Sequence, residues 1–137
     1  MSLKHIGITF LAVFAPFGAS VLLAADEAPL PEVHPLMLKE LPDIEGKEVL
    51  VMTVVYPPGG ADPIHRHDAH AFVYVLEGTI EMGVEGGKVV TLGPGETFYE
   101  GPDHLHVVGR NASATQPAKF LVVMLKKKGV DPILPIY

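Results

Sequence analysis

Histidine is the residue type in this chain best placed to do chemistry, because of how the histidines are spaced. Five of the seven fall between positions 65 and 106. His65 and His67 are two residues apart, as are His104 and His106, and His70 follows soon after. Side chains at i and i+2 of a β-strand share one face, about 7 Å apart along the backbone. Two imidazoles so placed can bind one metal ion at about 2.0–2.1 Å. From spacing alone, a metal site and a set of unrelated histidines on the surface are equally good interpretations.

The rest of the chain predicts the strands that would position these histidines. Short apolar segments alternate with turns rich in glycine and proline, and no 3.6-residue period is present. This pattern is typical of an all-β sandwich or barrel, and a jelly roll would close its own edges. The predicted strands cover residues 49–56, 72–76, 80–84, 89–92, 104–108 and 120–125.

Two segments resemble the paired sequence motifs of the cupin family. In the first, Gly59 stands six residues before the His65-Arg66-His67 triplet, and an aromatic and aliphatic strand then ends at Glu77-Gly78. The second has a Pro94-Gly95 turn, the spacing Pro102-x-x-x-His106 and a downstream Asn111. The resemblance covers about residues 48–125. It implies the cupin double-stranded β-helix, a jelly-roll barrel, in the form found in small single-domain bacterial members.

The resemblance also implies a metal site whose ligands include His65, His67 and His106. The family usually places a glutamate three or four residues after the second histidine, but Ala71 and Phe72 occupy those positions here. We therefore expect His70 to be the fourth ligand, with a three-histidine site completed by water as the alternative. Imidazole accepts Fe(II), Mn(II), Ni(II), Cu(II) or Zn(II), so the sequence predicts one divalent transition metal ion of unspecified identity.

A histidine-rich site of this kind favours a metal-dependent enzyme that acts on a small organic molecule. The resemblance favours a dioxygenase, and a lyase or isomerase that uses the metal as a Lewis acid is the other reaction class. A non-catalytic module that binds a metal or small ligand is the alternative function. The sequence offers three candidates for a catalytic acid or base: His104, Glu100 and Tyr99. We expect His104 to lie at the rim of the barrel, because exposed histidines are common.

The beginning of the chain indicates export. Lys4 precedes a stretch, residues 6–24, without a single charge, and small residues follow at Ala24-Ala25. This order predicts a signal peptide over residues 1–25 and a periplasmic or secreted protein. A retained membrane anchor is the alternative. The predicted domain order continues with an N-terminal arm and first strand at 26–47, the cupin barrel at 48–128 and a tail at 129–137.

Charge and composition limit the classes of partner that this chain is expected to bind. The formal net charge is −6, so the chain has no electrostatic reason to bind nucleic acid. It contains no cysteine, so it forms no disulfide in an oxidising compartment. We expect a small-molecule ligand or substrate and no membrane association after signal cleavage. Small cupins often pair through sheet edges, so the resemblance also implies a homodimer.

Overall fold

The computed structural model describes residues 27–134 and residue 136. The predicted signal peptide lies outside these residues. The described chain forms nine strands and no helix, and so it holds no helix long and apolar enough to cross a membrane. The strands are β1 Glu32–Glu40, β2 Lys47–Tyr56, β3 His65–Arg66, β4 Ala69–Glu77, β5 Ile80–Val84, β6 Val90–Leu92, β7 Thr97–Glu100, β8 Leu105–Asn111 and β9 Ala118–Lys127.

The strands form two antiparallel sheets that enclose the core. One has the order β1-β2-β9-β4-β7 and the other β3-β8-β5-β6. Alternate residues of β2, β4 and β9 are buried, as the two-residue period of a strand requires when one face lies on a core. Tyr56 and Phe120 pack edge to face in this core, with ring centroids 5.0 Å apart. The all-β jelly roll expected from the sequence is thus the observed architecture.

The N-terminal arm is largely a strand. β1 pairs with β2 along its length, and the register shifts between Pro35 and Met37. Proline has no N–H to donate to the sheet, so it is tolerated at an edge strand or a bulge. Every residue of β1 is exposed, which makes β1 an uncovered edge with apolar side chains.

The histidine-bearing part of the smaller sheet is short. β3 has only two residues, and it pairs with β8 so that His65 lies opposite His106 and Arg66 opposite Leu105. The predicted strand at 104–108 therefore begins one residue later, at Leu105. This register brings the two predicted His-x-His segments side by side.

Candidate metal centre

Four buried side chains converge at one end of the barrel: His65, His67, Glu100 and His106. Their ligand atoms all lie within 4.8 Å of one another. His65 belongs to β3, His67 follows it directly, His106 belongs to β8, and Glu100 is the last residue of β7. Each is at most 6% exposed. The three histidines that the resemblance implied as ligands are thus close enough to share one ion.

Glu100, and not His70, completes this group. β4 and β7 pair so that Ala71 lies directly opposite Glu100, and both side chains point into the barrel, where they are buried. The family's usual glutamate position is occupied by Ala71. A carboxylate reaches the same end of the barrel from the neighbouring strand, across the small alanine side chain.

The expectation that His70 is the fourth ligand is corrected by its place in β4. The inward residues of this strand are Ala69 and Ala71, so His70 belongs to the opposite face. Its Nδ1 lies 2.7 Å from the Tyr99 hydroxyl, and the two rings stack with centroids 6.1 Å apart. A one-residue bulge would have been needed to turn His70 inward, and β4 keeps a regular register with β9 through this region.

Backbone carbonyls fix the orientation of all three imidazoles. His65 Nδ1 donates to Pro63 O at 2.8 Å and His67 Nδ1 donates to Pro132 O at 2.5 Å. His106 Nε2 donates to Val108 O at 2.6 Å. Because these nitrogens carry the protons, the remaining nitrogen of each neutral ring is a lone-pair acceptor that faces the cluster. This is how ligand histidines are commonly held around a metal.

When the three rings are neutral, the centre of the cluster therefore contains acceptor atoms without donors. His65 Nε2 lies 3.2 Å from His67 Nε2 and 3.3 Å from His106 Nδ1. Glu100 Oε2 lies 3.3 Å from His67 Nε2 and 3.2 Å from His106 Nδ1. Among the described buried side-chain atoms, this oxygen alone has no hydrogen-bond partner. Buried acceptors that face one another repel unless a cation lies between them, so the donor set fits a divalent transition metal.

The surroundings shift the pKa values of these groups in opposite directions. Burial lowers the pKa of His65, which favours the neutral, ligating form. Burial acts in the same way on His67, but the nearby Glu100 carboxylate and the Pro132 carbonyl outweigh it and raise the pKa of His67. Burial would raise the pKa of Glu100, but the close histidines lower it overall, so Glu100 stays ionised. The site thus offers one negative charge to a cation.

A cavity of about 70 Å³ adjoins the four side chains. Apolar residues from both sheets form most of its wall, including Met52, Val73, Met82 and Phe120, and none of its described lining residues is a lysine or arginine. Its size suits a molecule of a few heavy atoms, well below the volume of a drug-sized ligand site. Among the described lining side chains, the three histidines are therefore the ones that can carry a positive charge.

Asp62 also lines the cavity, and Tyr56 holds it in place. The Tyr56 hydroxyl donates to Asp62 Oδ2, and the Asp62 N–H donates to Gly109 O at 2.8 Å. A Cβ added at Gly109 would lie 2.8 Å from both His106 Cε1 and the Tyr56 hydroxyl oxygen, and 2.9 Å from Asp62 Oδ2. Glycine is therefore the residue that lets this carboxylate pack beside the cluster. Burial is the main cause that raises the pKa of Asp62 and of Tyr56.

The three residues that the sequence offered as candidates for catalysis lie in different places in the structure. Glu100 is in the cluster. Tyr99, next to it on β7, points to the outer face and is 44% exposed. His104 lies in the turn before β8, where its Nδ1 accepts from the Gly101 N–H at 2.9 Å and its ring packs against Tyr99. These two contacts hold the His104 side chain in the turn.

Sequence reasoning did not identify Asp62 or Tyr56. Asp62 lies three residues before His65 inside the first motif, but nothing local shows that its side chain meets a tyrosine from the end of β2. Glu100 carried a weak signal, because it lies two residues before Pro102 at the end of an alternating strand. The alternation of side chains along the strand would have predicted that Glu100 faces the same side as Phe98, which packs against the core.

Comparison with known proteins agrees with this architecture. The chain matches the family model described as "Cupin domain" over residues 52–124, more than half of its length. It therefore belongs to the cupin family, as the two motifs implied. A comparison with curated proteins finds no match.

Several solved structures are similar to the chain. The DMSP lyase DddQ from Ruegeria pomeroyi DSS-3 is 28% identical, with a TM-score of 0.56. The match covers 63% of this chain and 42% of that one, so this chain spans about two fifths of the lyase's length. The protein TT1209 from Thermus thermophilus is 26% identical, with a TM-score of 0.58 and coverage of 76% and 90%. A cupin-like protein from Thermotoga maritima, at 17% identity, a TM-score of 0.62 and coverage of 77% and 75%, shows the shared fold alone.

Proposed function

We propose that this protein is a metal-dependent cupin enzyme that acts on a small organic acid with an apolar body. One observation carries the proposal: four buried acceptor groups, His65, His67, Glu100 and His106, converge beside a small apolar cavity that also contains a carboxylate outside the cluster. A metal held only for stability would not need such a cavity. These four side chains would hold a divalent ion beside the cavity, where it would supply Lewis-acid chemistry to a bound molecule.

The chemistry divides between the metal and the chain. When bound, a divalent ion supplies Lewis-acid polarisation of a substrate oxygen. Asp62 lines the cavity outside the cluster, so its carboxylate would accept a proton from the substrate as a general base, and burial raises its pKa. The Tyr56 hydroxyl donates to Asp62 and orients it. The apolar wall excludes water and selects a substrate of a few heavy atoms.

Of the two reaction classes expected from the sequence, proton abstraction by Asp62 favours a lyase or isomerase over a dioxygenase. The similarity to a DMSP lyase at 28% identity supports this choice. A non-catalytic module that binds a metal and a small ligand remains the second candidate, because a cavity of about 70 Å³ also suits simple ligand capture.

The test begins with elemental analysis of residues 26–137, purified without added metal, beside a His65→Ala/His67→Ala control. About one equivalent of metal that is lost in the control supports the site. No metal in either protein after reconstitution would overturn the proposal.

Turnover of a panel of short β-substituted carboxylic acids then distinguishes the reactions. Vinyl protons that appear by NMR without oxygen uptake indicate a lyase, and oxygen uptake indicates a dioxygenase. Asp62→Asn should retain the metal and lose lyase turnover, whereas Glu85→Gln, in an exposed turn, should keep both. Metal binding with no turnover on the panel would favour the non-catalytic module.

We also propose that the protein is exported, on the strength of the uncharged segment 6–24 and the small residues at 24–25. Cell fractionation with mass spectrometry of the purified protein tests this. A periplasmic or secreted species that begins near Asp26 supports export with cleavage. A full-length species in the membrane fraction would indicate the retained anchor, and a full-length species in the cytoplasm would overturn export.

A further inference from the structure

One ligand histidine depends on a distant part of the chain for its orientation. The carbonyls that hold His65 and His106 come from Pro63 and Val108, each two residues from its histidine. The carbonyl that holds His67 comes from Pro132, 65 residues further along the chain. The first two contacts form with the local backbone, whereas the third forms only when the C-terminal segment docks.

The C-terminal segment docks through paired backbone hydrogen bonds. Leu134 N donates to Arg66 O at 2.8 Å, and Arg66 N donates to Leu134 O at 3.2 Å. This reciprocal pair extends the sheet by one bridge on the side of β3 that β8 leaves free. The two-residue ligand strand is therefore held from both sides, by β8 and by residues 131–134.

A buried ion pair fixes the point from which this segment departs. Lys126 Nζ, at the end of β9, donates to Glu48 Oε1 and to Val130 O at 2.6 Å. Gly129 N donates to the same Glu48 oxygen at 3.1 Å, and Gly129 has a φ of 73°, which suits a residue without a Cβ. These hydrogen bonds thus hold the turn at residues 128–130, which precedes residues 131–134, against the barrel.

The same segment closes one side of the cavity. Pro132 and Ile133 both line it, together with the four cluster residues. Ile133 is 44% exposed, so its side chain lies between the cavity and solvent. A change of size at Ile133 alters the cavity wall while all four acceptor groups and the Pro132 carbonyl are kept.

We propose that residues 131–134 form a strap that orients His67 for metal binding and sets the size limit of the cavity. This inference rests on the proposed metal site. Pro132 acts as a positioning residue through its carbonyl, and Ile133 acts as a specificity-determining residue. Because the strap and the metal are coupled through His67, metal binding should in turn stabilise the docked strap by the same factor.

The test measures Zn²⁺ affinity by competition with a chromophoric chelator, in the parent and in a chain that ends at Val130. Loss of a carbonyl that orients a ligand histidine typically lowers metal affinity about 10–100-fold. We expect that loss, with the stoichiometry still near one at saturating Zn²⁺. Leu134→Pro removes the N–H donated to Arg66 and keeps Pro132 and Ile133 in the chain. It should weaken binding in the same direction, and it replaces the shortened chain as the test if that chain does not fold.

Two further readouts separate a strap from a merely structural tail. Zn²⁺ should slow amide hydrogen exchange at Leu134 in the parent and leave it unchanged in His67→Ala. Ile133→Ala should leave the Zn²⁺ affinity unchanged and admit larger carboxylates, detected as ligand-induced changes in the spectrum of the Co²⁺-loaded protein. Equal Zn²⁺ affinity in the parent and both strap variants would overturn the inference. A parent that binds no Zn²⁺ would overturn the proposed metal site instead.

Discussion

The carboxylate of Glu100 provides the sharpest test of the site, because the sequence alone places no acidic residue at the family's usual position. We expect Glu100→Gln to weaken metal binding strongly and leave the barrel folded. The ligand atoms lie within 4.8 Å of one another, so an ion between them lies no more than about 4 Å from Oε2. At that distance and an effective dielectric constant of 20, two unit charges attract by about 4 kcal/mol.

A divalent ion doubles this attraction, but desolvation of the carboxylate offsets part of it. If the net effect is that of one unit charge, Glu100→Gln should raise the Kd for Zn²⁺ about a thousandfold, because each 1.4 kcal/mol is about a factor of ten. Competition with a chelator measures this change, and circular dichroism checks the fold. Glu85→Gln removes an exposed carboxylate and should leave the Kd unchanged.

The strand register permits a rescue. Ala71 lies opposite Glu100 and faces the same cavity, so Ala71→Glu in a Glu100→Ala background should restore much of the lost affinity. Phe72→Glu in that background is the matched control, because Phe72 is 51% exposed on the outer face. Parent-like affinity in Glu100→Gln would refute the assignment of Glu100 as a ligand. Equal rescue from positions 71 and 72 would refute the argument from register.

Three other substitutions and one measurement on the parent protein have defined outcomes. His67→Ala should lose the metal and keep the β-sheet circular dichroism spectrum; retained stoichiometry would contradict its role as a ligand. Phe120→Ala should lower the free energy of unfolding by about 3–5 kcal/mol, because it leaves a cavity beside Tyr56. A change below about 1 kcal/mol in urea unfolding would show that neighbouring side chains repack into this cavity. Lys126 lowers the pKa of Glu48 below its ordinary 4.5, with help from a backbone N–H. The resulting stability is present above pH 4.5 and lost as the pH falls through the lowered pKa, so parent and Glu48→Gln should converge in urea unfolding at low pH; a pH-independent difference would contradict this. We predict that the exposed β1 edge pairs with that of a second copy; light scattering that finds a monomer at all concentrations would exclude this homodimer.

Sequence patterns that span a few residues were sufficient to predict individual strands and the side chains that share a strand face. The alternation of Ile80, Met82 and Val84 predicted a strand whose bounds match β5, because side-chain direction in a strand follows from parity alone. The same reasoning placed His65 and His67 near one ion. The cupin motifs added the third histidine, which strand spacing could not connect to the first two.

Glu100 and His70 show where local reasoning fails. The sequence lacks a carboxylate at 71 and 72, so the nearest polar side chain, His70, was the natural substitute. Its parity in β4 turns it to the outer face, while the pairing of β4 with β7 brings in a carboxylate 29 positions after Ala71. Which residue lies opposite which is decided by register between strands, and a single sequence does not specify register over such distances.

The sequence by itself therefore determined the class of fold and the three histidines, and it predicted a metal ion among them. These follow from residue type and from periods of two, which act over a few residues. The tertiary structure alone decided which carboxylate joins the histidines, which carbonyl orients His67, and which acid faces the cavity. Each of these contacts joins residues from separate strands or from the C-terminal segment. They exist only once the two sheets have closed around a common core.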